Sequence, residues 1–202
     1  MSKFLTQNPL ILASSSKIRI QLLRSLSLDF EVVPARCDEE AIKKELKTAS
    51  MLELASALAR CKALEVSNRY PKHFVIAADQ LCIIDDKYLD KPLNHTVAMT
   101  HLRLLSGKTH QQISAYCIAK AGKLLWQDHD SASLTMRELS DKTIDAYLTQ
   151  DQPYQSCGAY HFEESAKWLF TEIKGSDSTI LGLPLMPLAK ALISLQAVIM
   201  TS

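Results

Sequence analysis

The chain has 202 residues, enough for one sizeable core or for two lobes sharing a cleft, and at 47% hydrophobic residues it is not disordered. With 23 basic and 22 acidic residues its formal net charge is +1, which argues against a general nucleic-acid binder while leaving room for a local cationic pocket. Its five cysteines (Cys37, Cys61, Cys82, Cys117, Cys157) include no CxxC pair and its six histidines no HExxH, so reduced thiols in a cytoplasmic protein are expected rather than a zinc site or a disulfide framework.

Taken in order, Leu10–Ala13 is a short apolar run expected to be a buried strand. Ser14-Ser15-Ser16 follows, and Lys17–Ser27 has helical periodicity through Ile18, Leu22, Leu23 and Leu26, with a serine to cap it. Phe30–Pro34 reads as a second strand. Cys37–Ser50 is charged and irregular, a loop with a helical turn, and Met51–Tyr70 is a helix rich in Leu and Ala. Phe74–Ala78 is a strand ending at Asp79-Gln80, Leu81–Ile84 continues extended, and Asp85-Asp86-Lys87 makes a turn.

Thr96–Leu105 is expected to be helical and stopped by Gly107. Gln112–Lys120 and Lys123–Met136 form a hairpin at Ala121-Gly122. Ser140–Thr149 is a helix with Ser140 as its cap, and Trp168–Ile173 is a strand. The most apolar stretch, Leu181–Met200, is interrupted by Pro184, Pro187 and Lys190 and reads as a buried C-terminal helix, not a membrane span. The N-terminus shows no signal-peptide pattern. The order predicts a single α/β domain over 1–202: a mixed twisted sheet flanked by helices, with two lobes around a cleft.

Several segments carry chemical potential. A strand, a serine-rich turn and a helix start can bind an anion through backbone N–H groups, the Ser14 and Ser16 hydroxyls and Arg19. An ordinary N-cap beside a solvated arginine is the commoner reading of such a stretch. Asp38-Glu39-Glu40 can be a solvated acidic loop or a source of oxygen ligands for magnesium. Asp79, at the carboxyl end of an apolar strand, suits a general base or a metal ligand as well as it suits a turn. Lys62 and Lys91 would neutralise phosphate charge if they face Asp79.

Together these segments resemble the Maf family of nucleotide pyrophosphatases. The family pattern runs approximately LILASxSPxR, a DE pair, GADT or GSDQ, GKP, LSG, AGAY and EGSxxNVxGLPL. The matching segments are Leu10–Arg19, Asp38-Glu39, Ala77–Gln80, Asp90-Lys91-Pro92, Leu105–Lys108, Cys157–Tyr160 and Lys174–Leu185, spanning about residues 9 to 193. The resemblance implies a fold like that of inosine triphosphate pyrophosphatases. It also implies hydrolysis of nucleoside triphosphates to monophosphate and pyrophosphate with a divalent metal, magnesium or manganese, and commonly a homodimer. Carried over by position, Asp79 would accept the proton of the attacking water, and Glu39 with Asp79 would hold the metal. Ser14, Ser16, Arg19, Lys62 and Lys91 would hold the phosphates. Ile18, Gln80 and Glu163 would lie near the base.

One family branch carries Asp-Thr at the catalytic position and prefers dTTP and UTP. Another carries Asp-Gln and resembles 7-methyl-GTP pyrophosphatases. Asp79-Gln80 and Glu163 point to the second, since a carboxylate can accept from the guanine N1–H and amine and favours the cationic methylated base. The chain departs from the pattern at Lys17 (for Pro), at Ile18 (where an aromatic or Arg often sits), at Asp90 (for Gly) and at Glu164–Lys167. The alternatives are a dTTP/UTP pyrophosphatase, and a nucleotide-binding regulator of septum formation with little catalysis.

Overall fold

The computed structural model describes residues 4–201. Contacts divide the chain into two compact units, each with its own apolar core. One comprises the chain up to Asp79, Ser114–Asp130 and everything from Gly182; the other comprises Gln80–Ile113 and Ser131–Leu181.

The first unit begins with β1 (Leu5–Gln7) and β2 (Leu10–Leu12). β2 is fully buried, as a continuous apolar run between two neighbours should be, and pairs in parallel with β3 (Glu31–Val32) on one side and β4 (Phe74–Ile84) on the other. Between them lie α1 (Lys17–Ser25), α2 (Glu39–Glu45) and the nineteen-residue α3 (Met51–Arg69). α3 buries Leu54, Leu58 and Val66, with Ala55, Ala59 and Ala63 allowing close packing. Leu10, Leu12, Leu23, Ile76, Tyr116, Ile118, Leu188 and Leu192 belong to this unit's core.

The second unit holds β5 (Lys87–Leu89), α4 (His95–Leu105), α5 (Asp141–Asp151), a 3₁₀ turn (Ser165–Leu169), β8 (Phe170–Lys174) and α6 (Asp177–Ile180). β5 pairs antiparallel with β4 through Cys82↔Leu89 and Ile84↔Lys87. β6 (Thr109–Lys120) and β7 (Lys123–Met136) run from one unit into the other, as β4 does. The second unit's core contains Leu102, Leu105, Leu134, Met136, Leu148, Phe162 and Phe170.

Strand order is β3-β2-β4-β6-β7-β8 with β5 on β4, and parallel and antiparallel pairs coexist, so the sheet is mixed as expected. β6 and β7 meet in a two-residue turn at Ala121-Gly122, both with positive φ, the geometry that matches strand twist. Each α-helix up to α6 starts at a Ser, Asp or Asn whose side chain accepts a first-turn N–H. No helix among the described residues is long and apolar enough to cross a membrane.

Four expectations need correction. Cys37–Ser50 is not mainly loop: Asp38 caps a seven-residue helix with acidic residues at its start and Lys43 and Lys44 in its last turn, which suits the helix dipole. Trp168 lies in the 3₁₀ turn and is 82% exposed, so the strand starts at Phe170. The C-terminal stretch is not one helix: α7 (Leu185–Ser194) ends before β9 (Val198–Met200), which pairs with β1. Finally, β4 does not end at Asp79 but runs through it to Ile84, and the turn residue Lys87 opens β5.

Candidate active site

The serine turn after β2 is held by its own side chains. Ser14 Oγ accepts the Ser16 N–H at 3.2 Å, and Ser16 Oγ caps α1 by accepting the Arg19 N–H at 3.3 Å. The backbone of Ala13 donates to Ile76 O at 2.8 Å, which ties this turn to β4. Arg19 then reaches two carbonyls: Nε donates to Gly182 O and Nη1 to Ala78 O, each at 2.8 Å. A guanidinium has five N–H donors in a fixed fork, so these two bonds orient the group and leave others for an anion. Arg19 is thus a positioning residue for the backbone next to Asp79. Ile18, at the second position of α1, is half-buried.

Asp79 is the sixth of eleven residues in β4. The parallel pairing with β2 stops at Leu12↔Ile76, so Asp79 stands beyond the carboxyl end of the parallel ladder although its own strand continues. It is 8% exposed. Lys62, on α3, places Nζ 2.6 Å from Asp79 Oδ1 and 3.0 Å from Glu39 Oε1. One ammonium therefore serves two carboxylates, and the three side chains together carry a net negative charge.

The acidic run 38–40 separates into three roles. Asp38 Oδ1 accepts the Ala41 N–H at 3.0 Å as the cap of α2. Glu40 pairs with Lys43 at 2.9 Å. Glu39 alone meets Lys62. Beside this cluster, Cys37 Sγ touches Cys61 Sγ of α3 at 2.6 Å, with no bridge between them. Burial, then the neighbouring Cys61 thiol, pushes the Cys37 thiol up to about 12.

Among the described residues no group of three or more His, Cys, Asp or Glu side chains forms a metal cage. Glu39 and Asp79 nonetheless converge on a single cation, the ammonium of Lys62. Two carboxylates with surplus negative charge suit magnesium or manganese, which take one or two protein carboxylates and complete their shell with water and substrate phosphates.

The remaining sequence candidates lie in the second unit. Gln80 donates from Nε2 to Ile180 O at 2.5 Å, so its amide is tied to the end of α6. Lys91 is exposed, with its backbone N–H on Asp90 Oδ1 at 3.0 Å. Glu163 is exposed in a turn fixed by its neighbours: His161 N–H donates to the Tyr147 hydroxyl at 2.9 Å, and Ser165 Oγ to Asp151 Oδ2 at 2.5 Å. The structure thus brings Ser14, Ser16 and Arg19 together around one turn, and Glu39, Lys62 and Asp79 around one ammonium.

Sequence reasoning missed the dual carbonyl contact of Arg19 and the Cys37–Cys61 pair, neither of which has a local signal. It also missed a buried polar cluster in the second unit. There Gln112 Nε2 donates to the Tyr160 hydroxyl at 2.7 Å, and His110 Nε2 lies 2.9 Å from the same oxygen. Burial holds the His110 imidazole down at about 4. The even alternation of β6 marks His110 and Gln112 as residues of one face, which was the available clue.

The mixed sheet makes this an α/β protein, and its Glu39, Lys62 and Asp79 side chains form one charged cluster. The model of the family described as Maf-like protein matches residues 9–195, and the chain belongs to that family. A Legionella pneumophila protein named nucleoside triphosphate pyrophosphatase is 58% identical over 198 residues, covering 98% of this chain and 99% of its own. A Rhizobium johnstonii protein named 7-methyl-GTP pyrophosphatase is 42% identical over 193 residues, covering 94% and 97%. Among solved structures, a Staphylococcus aureus Ham1 protein aligns with a TM-score of 0.47 and 12% identity over 93% of this chain and 99% of that one.

Proposed function

We propose that this Maf-like protein is a nucleoside triphosphate pyrophosphatase, a hydrolase of phosphoric anhydrides that cleaves between the α and β phosphates. The observation that carries the reading is the Glu39–Lys62–Asp79 cluster beside the Arg19-braced serine turn. Family membership and the relatives' names support the enzyme class. A divalent cation held by Glu39 and Asp79 would neutralise phosphate charge and polarise the reacting centre.

The chain's own groups do the rest. The α1 N-terminus and the hydroxyls of Ser14 and Ser16 receive phosphate oxygens. Lys62 exchanges a carboxylate contact for a phosphate oxygen, which frees Asp79 to take a proton from the attacking water. Arg19 keeps Ala78 and Gly182 in place and offers its outer N–H groups to developing negative charge. Lys91 and Glu163 carry phosphate and base roles by family resemblance alone.

For the base, 7-methyl-GTP or another modified nucleotide is the first reading, supported by Asp79-Gln80 and by the name of the Rhizobium relative. A second reading, dTTP or UTP, stands beside it because one of the two Gln80 N–H donors is already on Ile180 O, which reduces what Gln80 can offer a guanine. A panel of 7-methyl-GTP, GTP, dTTP and UTP, each assayed for pyrophosphate release with magnesium or manganese, decides. The methylated nucleotide should give the highest kcat/KM. A clear preference for dTTP or UTP would replace the first reading with the second.

A further inference from the structure

Cys37 and Cys61 have no part in the chemistry above, yet their sulfurs touch at 2.6 Å across 24 positions of sequence. Both are half-buried, and neither is tied into a bridge. Their chain neighbours are the residues that matter: Cys37 is two residues before Glu39, and Cys61 is one residue before Lys62. Glu39 and Lys62 themselves pair at 3.0 Å. A disulfide holds its sulfurs about 2.05 Å apart, so these two sulfurs need approach by only a fraction of an ångström to join.

We infer that Cys37 and Cys61 form a reversible disulfide that tethers the start of α2 to α3 and so restrains Glu39 against Lys62. The part concerning catalysis rests on the pyrophosphatase reading, which requires Glu39 to exchange Lys62 for a cation. The oxidant is a hydroperoxide. One cysteine, as thiolate, attacks a peroxide oxygen; the O–O bond breaks, giving a sulfenic acid and hydroxide. The second thiol attacks that sulfur, the S–S bond forms, and the sulfenic hydroxyl leaves with the second thiol's proton as water. Both cysteines are oxidised and the peroxide is reduced. A dithiol reverses the step by exchange. The tether closes a medium-length loop, whose constraint falls on the unfolded chain as well as on α2.

The test uses the full chain treated with hydrogen peroxide, then blocked with an alkylating reagent and mapped without reduction. The treated protein should take up two fewer labels and yield one linked peptide containing Cys37 and Cys61. Its pyrophosphate release should fall roughly ten-fold, as expected when a ligand is held out of position, and recover with dithiothreitol. Cys37→Ser and Cys61→Ser should match the reduced wild type and lose little activity to peroxide. No linked peptide, or a linked protein as active as the reduced one, would overturn the inference. If the reduced wild type releases no pyrophosphate from any nucleotide, the proposed function fails, and the linked peptide alone decides the bridge.

Discussion

Lys62 meets Asp79 at 2.6 Å and Glu39 at 3.0 Å, and the difference in exposure between those carboxylates matters. The Asp79 side chain is 11% exposed and that of Glu39 44%, so Asp79 depends far more on its partner than Glu39 does. Removing one member of a buried pair costs about 3–5 kcal/mol. Here Lys62 keeps Glu39 when Asp79 is neutralised, so the loss should be smaller. Asp79→Asn is therefore expected to stay folded, by circular dichroism and thermal melting, while pyrophosphate release falls about 100-fold or more. Wild-type activity in that variant would remove Asp79 from the chemistry. The three acidic residues 38–40 give a sharper comparison. Asp38→Ala should lower stability by about 1 kcal/mol, as loss of a helix cap does, and shift the metal titration little. Glu39→Ala should leave stability nearly unchanged and raise the metal concentration for half-maximal rate roughly ten-fold. A reversed pattern in the two titrations would exchange their assignments.

At the scale of elements, the parts that show in sequence are those with local causes. The helix starts at Ser16 and Ser140, and the turn at Ala121-Gly122, follow from capping and turn chemistry that a few neighbouring residues decide. The missed elements have distant causes. β1 and β9 exist because residues at opposite ends of the chain pair through Leu5↔Met200 and Gln7↔Val198. β4 passes through Asp79 because sheet neighbours stabilise extended backbone there, overriding the turn character of an acidic residue. Gly158, legible only as a small residue, is needed for a specific reason. Its φ is +79°, and a Cβ would fall 2.8 Å from Cys82 Sγ and 2.9 Å from Tyr160 Cε1. Gly158→Ala should therefore cost about 2 kcal/mol of unfolding free energy in urea titrations. A loss within a few tenths would show that the second unit yields there.

At the scale of the molecule, the two units carry different chemistry. The first holds the carboxylate–lysine cluster; the second buries His110 neutral beside Tyr160 and Phe170. Because burial lowers the folded-state value of His110 to about 4 from an ordinary 6.5, the unfolded chain binds the proton first as pH falls. The stability tied to neutral His110 is thus fully present above about pH 6.5 and is lost as pH drops toward about 4, on the order of 3 kcal/mol. Urea midpoints across that window should fall in the wild type and much less in His110→Gln; equal slopes would assign the acid sensitivity elsewhere. Much of the candidate site is legible in the sequence: Ser14, Arg19, Glu39 and Asp79 lie in motifs of fixed order, and Lys62, outside any motif, is a candidate by its charge alone. The internal ties are not. That Arg19 braces Ala78 and Gly182, and that Gln80 is spent on Ile180, depends on segments far apart in sequence. Which anhydride bond is cut is read directly by phosphorus NMR of a reaction with 7-methyl-GTP and magnesium. Cleavage between the α and β phosphates gives equal amounts of nucleoside monophosphate and pyrophosphate. Nucleoside diphosphate with orthophosphate, or bound nucleotide that is never hydrolysed with any base of the panel, would contradict it.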